Sequence, residues 1–248
     1  MKSILINTAC VFFLLIRIQF TASSQLNISK YQFGISAGTY VYLGDLTPTS
    51  TGSYKTLKPA LNLFASKFLS RSFALRANLG FGRLKGDDAK YNHPEYRQQR
   101  NFNFTSPIAE LSGLAEWNVL GRNQASRGFA PYVFAGVGYT FLKIRRDWSN
   151  LNTEYFGEEL FNGLSADAQQ SLPRGLLTFP VGVGTRYYLS DRIGISAEAS
   201  YRVMSTDYLD GFSKATNPAE NDHYGMYSVG VVYRIGKKNM LDCPVVKY

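Results

Sequence analysis

Between Tyr31 and Ile235 the chain alternates apolar and polar residues with a period of two in eight stretches, residues 31–43, 59–69, 72–84, 104–118, 131–144, 176–189, 193–205 and 224–235. A period of two sends successive side chains to opposite faces of a strand. Each stretch therefore predicts a strand with one greasy face of Val, Leu, Phe and Tyr and one face of Gly, Ser, Arg and Glu. Each also reaches the roughly 9–11 residues that a tilted membrane strand needs. The connections alternate in length: tight at Ser70-Arg71 and Ser190-Asp-Arg192, moderate at 119–130, long at 44–58, 85–103, 145–175 and 206–223. Short periplasmic turns and long extracellular loops are the asymmetry of outer-membrane barrels. The pattern predicts an all-β fold, an eight-stranded antiparallel transmembrane β-barrel with long extracellular loops and, from the even strand count, both termini in the periplasm.

Strand direction predicts the height of every aromatic residue on the apolar faces. Phe73, Trp117, Tyr187 and Tyr233 fall near the periplasmic ends, and Phe81, Tyr139, Phe141, Tyr201 and Tyr227 near the outer ends. Two belts flanking a band of Val, Leu and Ala are what the two membrane interfaces select. A soluble lipocalin-like barrel would bury the apolar face and leave both belts without a reason.

The N-terminus adds an export route. Lys2, the apolar run from Val11 to Ile16 and Ala22-Ser-Ser24 read as a signal peptide over residues 1–24. The run is well short of the roughly 20 apolar residues of a spanning helix. The barrel is then expected over 25–236 and a short periplasmic tail over 237–248. Without Lys2 and Arg17 the chain keeps 25 basic against 18 acidic residues. Export makes nucleic acid an improbable partner for that excess, and outer-membrane lipids, above all lipopolysaccharide, the expected one. Cys243 is the one cysteine left, so no internal disulfide is available, and it is a candidate contact for a partner.

By the same parity Arg76, Glu110, Glu116, Arg186, Glu198, Arg202 and Arg234 face the lumen. Charges of both signs in a narrow space are expected to pair, because an unpaired buried charge costs several kcal/mol. The reading is a structural plug, with a water-filled path as its alternative. Glu110 and Glu116 lie about 20 Å apart at strand rise, too far to share one substrate bond. The two histidines, His93 and His223, fall in predicted outer loops beside Glu95 and Asp222, the residue types of a surface hydrolase, but sequence adjacency is weak evidence for a dyad. Neither a metal site nor a cofactor is expected. The pairs Gly80-Phe-Gly82, Gly136-Val-Gly138 and Gly182-Val-Gly184 lack the third glycine and helix of a phosphate loop. They read as inward positions that admit close approach. Loop 85–103, with Lys85, Lys90, Arg97 and Arg100 among Tyr91, Tyr96 and Phe102, and loop 145–175, with Arg145, Arg146, Trp148, Tyr155 and Phe156, read as contact surfaces. A short helix is expected over 158–172.

At Tyr42-Leu-Gly-Asp-Leu46, Pro131-Tyr-Val-Phe-Ala-Gly-Val-Gly-Tyr139, Gly184-Thr-Arg-Tyr-Tyr-Leu-Ser-Asp191 and Cys243-Pro244 the chain resembles a family of small outer-membrane barrels of Bacteroidetes-type bacteria. That family includes the barrel component of the type IX secretion and gliding machinery. The resemblance implies a non-enzymatic eight-stranded barrel that is inserted by the barrel-assembly machinery and docks periplasmic secretion-ring proteins. The chain departs from the pattern after Ile235, where Gly236-Lys-Lys-Asn-Met and the tail to Tyr248 follow the last strand instead of a closing aromatic residue.

Overall fold

The computed structural model describes residues 30–49, 52–217, 219 and 221–235. The expected signal peptide, the 237–248 tail and Cys243 lie outside the described residues. The strands are β1 (Tyr31–Leu43), β2 (Lys58–Phe68), β3 (Phe73–Asp87), β4 (Asn103–Asn118), β5 (Gly128–Leu142), a short β6 (Arg145–Asp147), β7 (Gly175–Tyr188), β8 (Ile193–Val203) and β9 (His223–Ile235), with helices α1 (Tyr96–Arg100) and α2 (Glu158–Gln169). Eight long strands pair antiparallel in succession and β9 pairs with β1, so the sheet closes on itself. Followed from strand to strand, Tyr31 leads to Lys67, Leu75, Ala115, Ala135, Val181, Tyr201, Gly225 and back to Val41, ten residues further along β1. That offset tilts the strands and leaves an interior that side chains fill.

Two prolines mark the interruptions in the ladder. Proline has no amide hydrogen to donate. The β4–β5 pairing stops at Ile108 opposite Leu142 and resumes, in the same register, at Thr105 opposite Arg145. Hence β6 is the continuation of β5 beyond the gap at Pro107. Between β5 and β7 the pairs are missing opposite Phe179 and Pro180. The wall also reaches higher than the apolar period foretells: β3 runs on to Asp87, where the outward residues are Arg83 and Lys85. β5 starts at Gly128, three residues before the expected stretch. Charged outward residues beyond the apolar band belong to strand that has left the membrane, and an apolar period cannot find them.

Leu69-Ser70 and Leu189-Ser190 open one and the same turn. Leu69 and Ser70 N–H both donate to Phe73 O, and Leu189 and Ser190 N–H both donate to Ile193 O. In each turn the serine hydroxyl accepts from the two amides that follow, Ser70 from Ser72 and Phe73 and Ser190 from Arg192 and Ile193. A serine side chain that satisfies its own turn in this way fixes the reversal without glycine.

Outside, Phe33, Ile35, Leu75, Leu79, Leu111, Val137, Val183, Ile195, Val229 and Val231 are exposed around the whole barrel. Inside stand the polar and aromatic residues. This is the inverse of a soluble barrel, and so continuous an apolar exterior requires a lipid neighbour. The inward glycines do admit close approach. A β-carbon on Gly80 or Gly82 would collide with Tyr40, on Gly182 with Phe134 and on Gly184 with Tyr132. Gly136 and Gly138 instead lie tight against the neighbouring strand at Gly113 and Ser112.

Candidate functional site

Register decides which inward charges meet. Arg76 lies across the lumen from β8, and its Nη1 and Nη2 reach Glu198 Oε1 at 2.6 Å and Oε2 at 3.2 Å. The same Nη1 is 3.3 Å from Glu116 Oε1, which also accepts from Arg186 Nη2 at 2.7 Å. Tyr132 Oη donates to Glu198. The guanidinium of Arg76 lies 3.7 Å from the Phe64 ring centroid and that of Arg186 3.9 Å from the Tyr132 centroid. Higher up, Arg202 Nε donates to Glu110 Oε2 at 2.9 Å, and Tyr224 Oη and Ser112 Oγ donate to the same carboxylate.

The expected single network of seven charges is thus a quartet and a pair. Arg234 belongs to neither. Among the described residues no carboxylate pairs with it; it lies 3.2 Å from the Tyr188 ring centroid and donates to Ala125 O. Its register partner is Gln32, whose amide oxygen is taken by Tyr188 Oη. Glu198 is opposite Ser228, six residues before Arg234 on β9, or about 20 Å away along the strand. The expected ion pairing of Arg234 is corrected accordingly.

Above the charged layers the long loops fold into a cap. Tyr40, Tyr42, Leu46, Leu84, Phe102, Phe104, Ile144, Leu164, Leu209, Phe212 and Tyr224 form one buried cluster across the barrel mouth. Phe212 stacks on Phe102 at 4.5 Å and meets Trp148 edge-on. Four carboxylates hold the loops to one another. Asp88 receives Arg97 Nη1 at 2.8 Å and Arg100 Nε at 2.6 Å, while the two guanidiniums also donate to Asp45 O and Thr47 O of the first loop. Asp167, on α2, accepts the amides of Ser213, Lys214 and Ala215 and the Tyr208 hydroxyl. Gly163, one turn earlier, lets α2 touch that backbone, for a β-carbon there would lie 2.5 Å from Lys214 O. Asp210 and Asp222 both contact the Tyr42 hydroxyl.

Several loop residues therefore stand differently from expectation. Arg97, Arg100, Tyr91 and Phe102 are buried, and half-buried Arg146 spends its guanidinium on Gly211 O and Asp167 O. They are internal ties, whereas Tyr96 and Tyr155 are exposed. The helix falls at Glu158–Gln169, within the expected 158–172. The belt residues Phe73, Trp117, Tyr187 and Tyr233 are exposed on the outer wall toward the short turns. Phe81, Tyr139, Phe141 and Tyr227 are exposed toward the loops, and Tyr201 is half-buried there.

His223 does not form the dyad with Asp222 that their adjacency offered. The Asp222 carboxylate turns inward to Tyr42 and to the amides of Leu209 and Asp210. His223 Nδ1 instead accepts the Met204 amide at 3.3 Å. Among the described residues no cluster of three or more His, Cys, Asp or Glu side chains is arranged to hold a metal ion. What the cap does offer is an open cleft of about 600 Å³ between the first loop, α1 and the last loop, with Asp45, Tyr96, Arg100, Asn217, Asn221 and His223 on its walls. Such a lining of donors and acceptors suits binding. Sequence reasoning missed Asp88, Asp167, Asp210 and Asp222 as organising residues. They sit in loops with no period, and Asp222 drew notice only as the sequence neighbour of His223.

Residues 8–235 match the family described as "Domain of unknown function (DUF6089)". No curated protein matches the sequence. Solved structures to which the chain is similar include Ail, the attachment invasion locus protein of Yersinia pestis, in complex with the heparin analogue sucrose octasulfate (11% identity, 83% of this chain and 97% of that chain covered, TM-score 0.46). Others are Neisserial surface protein A (15% identity, 85% and 100% covered, TM-score 0.45) and a major outer membrane protein from Thermus thermophilus (13% identity, 83% and 99% covered, TM-score 0.46). Likenesses of this size carry no argument about role. Closed sheet, apolar exterior and polar interior together make the molecule an outer-membrane-type β-barrel.

Proposed function

The chain belongs to the DUF6089 family, and we propose that within it this protein is a non-conducting, non-enzymatic outer-membrane scaffold. Its folded cap faces the cell surface, and its short turns and both chain ends face the periplasm. One observation carries the reading: the barrel is filled along its length. Arg186, Glu116, Arg76, Tyr40, Tyr132 and Tyr224 are buried across the lumen, and Phe102, Phe104 and Phe212 are buried in the cap above them. A barrel filled in this way has its surfaces, and not a pore, to work with.

The sharper version is docking of periplasmic secretion-ring proteins of a type IX machine, supported by the motif resemblance at Tyr42–Leu46 and Gly184–Asp191. The surface for it is the turn end, where Tyr31 and Ile235 lie side by side in register. The test is a gentle-detergent pull-down of the natively expressed, loop-tagged protein with mass spectrometry of the partners, run beside planar-bilayer recordings. Stoichiometric secretion-ring proteins and silent bilayers are expected. Recovery of the barrel alone would remove the docking version, and steady conductance would remove the scaffold reading altogether.

A further inference from the structure

At one place a loop overhangs the lipid-facing wall. On the outward face of β1, Phe33 and Ile35 are 47% and 51% exposed, as lipid contacts should be, whereas Val41 and Leu43 on the same face are only 4% and 7% exposed. The first loop covers them from outside: Gly52 packs so closely that a β-carbon on it would lie 2.5 Å from Val41 Cγ1. Beside this overhang, Gly225 is the register partner of both Val41 and Tyr201 and puts no side chain on the wall. The result is an apolar notch of about 580 Å³ at belt height, bounded by Leu43, Tyr201 and Tyr227 with Gly225 in its floor. Leu43 and Tyr201 also form the lower edge of the polar cleft in the cap. Notch and cleft therefore adjoin at these two residues, the groove being apolar in the membrane and polar above it.

The polar half has a distinct chemistry. Arg97 and Arg100 share the carboxylate of Asp88, and Arg100 also faces Asp210. Arg97 Nε is buried without a partner among the described residues, and Arg100 commits Nε and Nη2 to Asp88 and Asp45 O, which leaves Nη1. Asp45 itself faces the cleft, with one carboxylate oxygen on the Asn217 amide. A bare anion would meet that carboxylate unfavourably. A phosphorylated sugar suits the whole set, phosphate toward the guanidinium and hydroxyl groups toward Asp45, Asn221 and His223.

We propose that this groove binds one molecule of outer-leaflet glycolipid, its phosphorylated sugar headgroup in the cleft and an acyl chain in the notch over Gly225. The inference rests on the cap facing outward, because phosphorylated glycolipid is the lipid of that leaflet. Gly225→Leu provides the test, since a β-carbon at this position comes no nearer than 3.4 Å to any neighbour and the rest of the side chain fills the notch. Ala77→Leu, on β3 and away from the groove, is the control. Full-length protein is delipidated in detergent, offered diphosphoryl lipid A, phosphatidylethanolamine or inorganic phosphate, and weighed by native mass spectrometry. One retained lipid A per chain is expected for wild type and Ala77→Leu. At least tenfold less is expected for Gly225→Leu, with its folded gel mobility unchanged.

Equal retention by Gly225→Leu would overturn the proposal. So would retention of phosphatidylethanolamine equal to that of lipid A, or full competition by inorganic phosphate. Labelling of cap lysines on intact cells with a membrane-impermeant reagent tests orientation separately. Absence of label would fault the outward cap while leaving the detergent result to stand or fall on its own.

Discussion

The lumen and the cap both fill space inside one closed sheet, yet they neutralise charge by opposite means. In the lumen every Glu has an Arg, and the arginines stay charged at any physiological pH. In the cap, Asp88 alone is balanced by cations; Asp167 is balanced by backbone amides, and Asp210 and Asp222 share a phenol. The lumen's partners come from strands whose register fixes the distance. The cap's partners come from four loops that must find one another. The lumen is therefore built to be indifferent to pH and the cap is not.

The largest effect is expected where the lumen loses a cation. Arg76→Met strips Glu198 of its cationic partner and Glu116 of one of two, and a buried charge left alone in this way costs about 3–5 kcal/mol. Urea unfolding in detergent, read by the shift in gel mobility, should show a barrel destabilised by that amount. The double variant Arg76→Met/Glu198→Gln should regain much of it, and a purely additive double variant would break the ion-pair account of the lumen.

In the cap the matching change is Phe212→Ala, which empties the stack on Phe102 and Trp148 at a local cost of about 3–5 kcal/mol. Here the barrel should keep its gel mobility while limited proteolysis begins cutting between Met204 and Asp222. Simultaneous loss of both would mean that cap and barrel fold as one unit, and the comparison between them would fail.

How much of this was legible in the sequence follows the same division. Lumen residues such as Arg76, Glu116 and Arg186 could be placed from parity alone, because a strand repeats every two residues and the wall fixes what is inside. The pairing inside was less legible: nothing in the spacing said that Arg234 would stack on Tyr188 while Arg76 took two carboxylates. The cap was not legible. Arg97 and Arg100 looked like a free basic surface because a loop has no period from which burial can be read, and only the folded chain brings Asp88 and the carbonyls of Asp45 and Thr47 around them.

A smaller effect separates the regions by pH. The Tyr42 hydroxyl is within hydrogen-bond reach of both Asp210 and Asp222 and carries a single hydrogen. The second contact requires a proton on one of the acids. Burial pushes both carboxyls well above the usual range, and for Asp222 the neighbouring Asp210 charge adds to it. Asp45 and half-buried Asp207, itself pushed up to about 7 by burial, add negative charge, and Arg100 is the cation facing Asp210. Because the folded pKa lies above the ordinary carboxyl value of 3.8, the folded cap holds more protons than the unfolded loops. Its stabilisation is complete below that value and declines as pH rises toward the folded pKa. Proteolysis of the cap should therefore be slower at pH 5 than at pH 9. Asp210→Asn, whose amide supplies the missing hydrogen permanently, should flatten the dependence and slow cutting at pH 9 severalfold. A slope unchanged in Asp210→Asn would place the titrating group elsewhere.

The smallest effect tests whether pairing or mere burial makes a lumen charge matter. Arg234 is as buried as Arg76, but among the described residues it has no carboxylate to orphan. Arg234→Leu removes one hydrogen bond to Ala125 O and the contact with the Tyr188 ring, and it also relieves the cost of keeping a guanidinium from water. These contributions oppose one another, so the net change in unfolding free energy should stay within about 1 kcal/mol, well below that of Arg76→Met in the same urea titration. If Arg234→Leu were as damaging as Arg76→Met, burial of charge rather than its pairing would govern the lumen. The quartet of Arg76, Glu116, Arg186 and Glu198 would then have no special claim over any other inward residue.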